Sequence, residues 1–269
     1  MPTPQKPATI DISGQLVFLG TSTSVGVPVI GCNCDTCTSL DPRNKRTRCG
    51  LALGLAEGVL LVDSPTDLRS QLLREGIGVA HAVLYTHEHA DHILGLDDLR
   101  LFPYYLGHKL PLYCEEAVER RIRKSFDYAF AEEGTYHPGG IPQLEIRRIT
   151  TEPFDLLGAR GVPIRLLHGR WEVLGFHFGN VAYCTDTNKI PDESWPLLQG
   201  LDVLILDALR HKPHVTHFGL AEAVAVAERL QPKRTYFTHL SHELEHAATN
   251  ALLPPSMELA YDGLRVPLT

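Results

Sequence analysis

The run Thr86-His87-Glu88-His89-Ala90-Asp91-His92 puts three imidazoles and a carboxylate within six residues. Imidazole nitrogen and carboxylate oxygen are donors that zinc, manganese, iron and nickel accept, so the run reads as a metal-binding loop. It directly follows the apolar segment 81–86 (HAVLYT), which predicts a strand. In a loop at a strand end, side chains at alternate positions can converge on one ion while Asp91 and His92 turn toward a second. Three further ligand-type residues also stand at predicted strand ends. His168 closes VPIRLLH, Asp186 follows NVAYCT, and His239 follows RTYFT. A second cluster, Cys32-Asn33-Cys34-Asp35-Thr36-Cys37, offers three thiolates at CxCxxC spacing. A closed tetrahedral zinc site needs a fourth donor, and His242, three residues beyond His239, is the candidate.

The elements that must position these groups can be read from pattern. Strands are predicted at 15–20, 81–86, 110–114, 202–207 and 234–238, with a hairpin over 50–63 turning at Glu57-Gly58. Short strands and turns alternate over 143–182. Helices are predicted at 66–76, over 115–133, and at 218–230, where apolar residues recur every three or four positions. Segment 93–106 reads as a loop and a short helix, and the Gly- and Pro-rich 134–142 as a loop. Strand-rich halves followed by helices suggest two packed sheets with helices outside. Without repeats or Gly/Ser linkers, residues 1–269 read as one domain, with 97–142 as a lid region.

Composition narrows the function classes. The net charge of −7 lowers a nucleic-acid reading, because gripping a polynucleotide takes many cations. No apolar run is long enough for a membrane span, and residues 1–14 hold no secretory stretch, so a cytoplasmic location is expected. In a reducing compartment the clustered cysteines read as metal ligands rather than disulfides.

With HxHxDH followed in order by His168, Asp186 and His239, the sequence resembles the metallo-β-lactamase superfamily. The resemblance implies an α/β, four-layer αββα sandwich of two mixed sheets. It assigns one ion, Zn or Mn, to His87, His89 and His168, and a second to Asp91, His92 and His239, with Asp186 bridging and Asp91 also catalytic. Asp63, at the end of VLLVD, suits a turn; in the family an aspartate there orients the histidine loop. The CxCxxC cluster with Thr238-His239-Leu240-Ser241-His242 is similar to the branch containing phosphoribosyl cyclic phosphodiesterase. That branch implies a small-molecule cyclic phosphodiester as substrate, a structural zinc on Cys32, Cys34, Cys37 and His242, and a second catalytic role for His217 near the phosphate. By analogy to the fold a homodimer is expected. His211 and His214 share the loop of His217, and Arg100 and Arg210 are phosphate contacts on charge alone. The rival readings are a transfer-RNA 3′-processing nuclease, which would carry a basic arm, a β-lactamase, a glyoxalase-type thioester hydrolase, and an accessory metal protein of quinone biosynthesis.

Overall fold

The computed structural model describes residues 7–131 and 141–268. The first half supplies β1 (Gln15–Gly20), β2 (Gly50–Leu55), β3 (Gly58–Val62), β4 (Ala82–Leu84), β5 (Leu110–Cys114) and β6 (Leu144–Arg148). The second supplies β7 (Phe154–Leu156), β8 (Ala159–His168), β9 (Trp171–Phe178), β10 (Val181–Cys184), β11 (Val203–Asp207), β12 (Arg234–Thr238) and β13 (Met257–Leu259). The last strand, β14 (Arg265–Pro267), returns to the first sheet. The two sheets have the orders β14-β1-β2-β3-β4-β5-β6 and β13-β12-β11-β10-β9-β8-β7. Each is mixed: antiparallel hairpins at one side give way to a parallel run, β3-β4-β5-β6 in one and β10-β11-β12-β13 in the other.

The central parallel strands, β4 and β11, are buried along their whole length because both faces are covered. One core lies between the sheets, where Leu16, Phe18 and Val62 meet Leu174, Phe176 and Ile205. Helices α1 (Asp35–Thr38), α2 (Leu68–Glu75), α3 (Ala90–Ile93), α4 (Phe102–Leu106), α5 (Glu116–Ser125), α6 (Leu220–Leu230) and α7 (His246–Asn250) complete the chain. Of these, α2, α4 and α5 cover the outer face of the first sheet through Leu68, Phe102 and Ile122. On the outside of the second sheet, α6 buries Ala223, Ala227 and Leu230, one stripe of a 3.6-residue repeat. This is the expected sandwich of two mixed sheets with helices outside.

One local expectation needs adjusting. The helix expected over 115–133 stops at Ser125, where Phe126 turns inward and a 3-10 turn, Asp127–Phe130, follows. Of the segment 97–142 read as a lid, residues 97–131 are largely packed helical turns on the first sheet, with Leu99 and Val118 buried; residues 132–140 lie outside the described residues. Among the described residues no helix is long and apolar enough to cross a membrane.

Register decides what the strand ends can do. In the first sheet, Val62 pairs with Leu84, so Asp63 and the histidine loop leave adjacent parallel strands at the same edge. In the second, Cys184 aligns with Leu206 and Asp207 with Thr238, which brings Asp186, Asp207 and His239 to one rim. The inter-sheet core fixes how the two rims meet. Phe176→Ala should cost about 3–5 kcal/mol, because the ring is buried between the sheets. Urea unfolding of the purified variant measures this, and a loss below about 1 kcal/mol would contradict the packing described.

Candidate metal centre

Three of the strand ends pass through an abrupt change of backbone direction. Asp63, Asp186 and His239 all have positive φ, at 66°, 50° and 59°. L-residues adopt this left-handed region at a cost, which surrounding contacts must hold in place. Here the contacts are polar and buried. Asp63 accepts hydrogen bonds from the backbone N–H and hydroxyl of Thr86 (2.9 Å each) and from His92 Nδ1 (2.7 Å). His168 Nδ1 donates to the carbonyl of Thr216 (2.8 Å). These donations turn Nε2 of His92 and His168 toward the centre, which is how ligand imidazoles are usually fixed. On its other side, His239 is contacted by the Cys49 thiol.

The side chains converge on Asp186. Its Oδ1 lies 3.2 Å from His92 Nε2 and 3.1 Å from His239 Nδ1, and its Oδ2 lies 3.7 Å from His87 Nε2. Asp91 Oδ2 is 3.5 Å from His92 Nε2. Three groupings could each hold a divalent ion: Asp91, His92, Asp186 and His239; His87, His89 and Asp186; and His168, Asp186 and His217. Asp186 is common to all three. Among the described residues, the buried nitrogens of His87 (Nε2), His92 (Nε2) and His239 (Nδ1) have no hydrogen-bond partner. Buried polar atoms without partners are costly, and lone pairs aimed at one carboxylate are what a pair of cations would satisfy. The donor set therefore fits divalent ions.

The carboxylates and imidazoles of the cluster perturb one another strongly. Burial opposes charge on His92, yet Asp186, Asp63 and Asp91 raise it well above the ordinary histidine range. At His239 burial is likewise outweighed by Asp186. His87 moves the other way: burial and then the nearby His92 lower it well below that range.

The cysteine cluster forms a second site beside the first. Sγ of Cys32, Cys34 and Cys37 lie 3.3, 3.5 and 3.6 Å from His242 Nδ1. A tetrahedral zinc with ordinary bond lengths separates sulfur and nitrogen ligands by about 3.6 Å, so these four atoms fit one. The loop 21–23 pairs with Leu240 through Leu240 N–H to Thr21 O (2.8 Å) and Thr23 N–H to Leu240 O (3.2 Å). Buried Arg46 donates to the carbonyls of Ser241 (3.2 Å) and Leu244 (2.8 Å). Both contacts hold the turn between His239 and His242.

Other candidates separate. His217 is buried and its Nδ1 donates to Asp207 Oδ2 (2.7 Å), while its ring stacks 4.6 Å from that of His239. His214 packs 5.3 Å from His217, whereas His211 is exposed. Arg100 is held by Asp97 (2.7 Å), outside the metal-ligand groupings, and Arg210 caps its own loop on the carbonyl of Pro213 (3.0 Å). Sequence reasoning missed Asp207, although it ends an apolar strand as Asp63 does. It also missed Arg46, hidden in the basic run 43–48, and Trp171 at the tip of the β8–β9 hairpin.

A beta-lactamase superfamily domain matches residues 59–240, and the chain belongs to that superfamily. Its structure is similar to that of a new diphosphatase from the PhnP family, with 45% identity and a TM-score of 0.88 over 94% of this chain and 96% of that one. With this PhnP-like kinship, the chain has the metallo-β-lactamase fold. Zinc-bound PqqB from Methylobacterium extorquens shares the fold at 19% identity and a TM-score of 0.76, over 94% of this chain and all of that one. An octanoyltransferase of Porphyromonas gingivalis is 35% identical over 252 residues, 92% of this chain and 50% of that protein. The chain thus spans about half the length of that relative.

If Asp63 orients His92, Asp63→Ala should weaken divalent-ion binding about 10- to 100-fold. Competition with a chromogenic chelator reads this directly; unchanged affinity would remove Asp63 from that role.

Proposed function

We propose that the chain is a dinuclear metal-dependent phosphodiesterase acting on a small disubstituted phosphate, represented by phosphoribosyl 1,2-cyclic phosphate. The observation that carries this reading is the convergence of buried imidazoles and Asp91 on Asp186. It stands in a chain 45% identical to a PhnP-family diphosphatase along 94% of its length. A diphosphate and a cyclic phosphodiester both present a phosphorus flanked by two substituent oxygens, so one arrangement of residues serves either.

His87, His89 and His168 would hold one ion, Asp91, His92 and His239 the other, and Asp186 would contact both. Two divalent ions supply Lewis acidity and a hydroxide nucleophile near neutral pH. The chain's own residues do the rest. Asp63 and Thr216 keep His92 and His168 in the orientation that presents Nε2. Asp207 holds the Nδ1 proton of His217, so Nε2 faces the centre and can carry a proton to the leaving oxygen. Asp91 completes the negative charge that balances the ions. Cys32, Cys34, Cys37 and His242 would hold a structural zinc that fixes the turn carrying His239. The acidic net charge agrees with a small substrate rather than a polynucleotide.

Purified protein should hydrolyse bis(p-nitrophenyl) phosphate and a ribose cyclic phosphate, and elemental analysis should find about three ions per chain. Stripping the ions with a chelator should abolish turnover, and Zn or Mn should restore it. Filled metal sites with no turnover of either ester would reject the reading. His217→Ala should lower kcat by about 10²–10⁴ with ion content intact, and Asp207→Asn should act in the same direction. Loss of an ion from the His217 variant would instead make that residue a ligand.

A further inference from the structure

A cleft of about 250 Å³ opens beside His87, His89 and His168. Its far wall is Trp171, with Glu88, Val118 and Val173 around it. Trp171 is 51% exposed and belongs to none of the three apolar cores. The other tryptophan, Trp195, packs against the core of the second sheet beneath Arg229. An exposed indole with no packing role is unusual. Its ring centre lies 6.2 Å from that of His89 and 6.3 Å from that of His168. The guanidinium of Arg170 lies over the ring, 5.1 Å from its centre.

The charges in the cleft are specific. Glu115 is neutralised by a two-pronged pair with Arg165 (2.6 and 2.9 Å). Glu88 is half-buried and, among the described residues, has neither a hydrogen-bond nor an ion-pair partner. A carboxylate only accepts hydrogen bonds. Glu172, at the mouth, lies 3.7 Å from Arg165 Nε. The cleft therefore offers a flat aromatic face, apolar walls and, at Glu88, an unpaired acceptor. These suit a planar ring bearing amino donors and disfavour a second phosphate.

We propose that the cleft seats a nucleobase. The substrate is then a nucleotide-type phosphodiester or diphosphate whose base stacks on Trp171, with an exocyclic amino group toward Glu88 and its phosphate at Asp186. The inference rests on the preceding reading that the centre acts on a phosphorus–oxygen bond. A sugar ring could also lie on an indole, but it would set hydroxyls against Val118 and Val173.

The test compares adenosine 5′-monophosphate with ribose 5-phosphate on metal-loaded protein by titration calorimetry. The nucleotide should bind more tightly than the sugar phosphate. Trp171→Ala should weaken the nucleotide by at least about fivefold, the size of one base–aromatic stack, and leave the sugar phosphate unchanged. Trp171→Phe should keep most of the advantage. In a Trp195→Phe background, where Trp171 is the one remaining tryptophan, its emission should respond to the nucleotide and not to the sugar phosphate. Equal binding of the two compounds, or equal weakening of both by Trp171→Ala, overturns the nucleobase site. If bis(p-nitrophenyl) phosphate is hydrolysed while the nucleotide has no advantage, only this inference falls. If neither phosphate binds and no ester is turned over, the phosphodiesterase reading falls with it.

Discussion

A buried carboxylate must be paid back in partners, and the site is organised around that constraint at Asp186. Desolvating a carboxylate is expensive unless cations and donors surround it. His87 and His92, from the loop after β4, and His239, at the end of β12, do so from two different sheets. Their approach requires left-handed backbone at Asp186 and His239, and a buried Asp63 to aim His92. Orphaned nitrogens and a shared carboxylate make the cluster costly in an ion-free protein and well matched to divalent ions. The same arrangement that would strain an ordinary loop therefore preorganises a centre.

The sandwich exists to bring these ends together. Parallel strands deliver their C-terminal ends to one edge of each sheet, which is why ligand-type residues alternate with apolar runs along the chain. The inter-sheet core sets the distance between edges, and the outer helices allow both sheets to be apolar on both faces. The N-terminal loop adds a second constraint. Its cysteines, its pairing with Leu240 and the reach of Arg46 hold the last turn, so His239 and His242 are placed by residues some 200 positions earlier.

The proposed substrate side lies around His168. There His217 and Asp207 form a buried pair, and the tip of the β8–β9 hairpin carries Trp171 over a cleft. Strand register joins the two features: His168 pairs with Trp171 across the hairpin, so one turn carries both a candidate metal ligand and the cleft wall.

The sequence by itself determined which ligand-type residues recur at strand ends. HxHxDH is local, and His168, Asp186 and His239 were legible because each follows an apolar strand. The cysteine triad was legible from spacing, and most strands and α6 from their periodicity. What tertiary structure decided was every role that depends on alignment between distant strands. Asp207 looks like the last residue of an apolar run until parallel pairing sets it beside Asp186 and His239. Arg46 looks solvated until the loop folds over it, and Trp171 looks like a core residue until the hairpin leaves it outside. Ligand chemistry is written in side-chain type and local spacing, whereas orientation, burial and neighbourhood arise only when sheet register brings remote segments into contact.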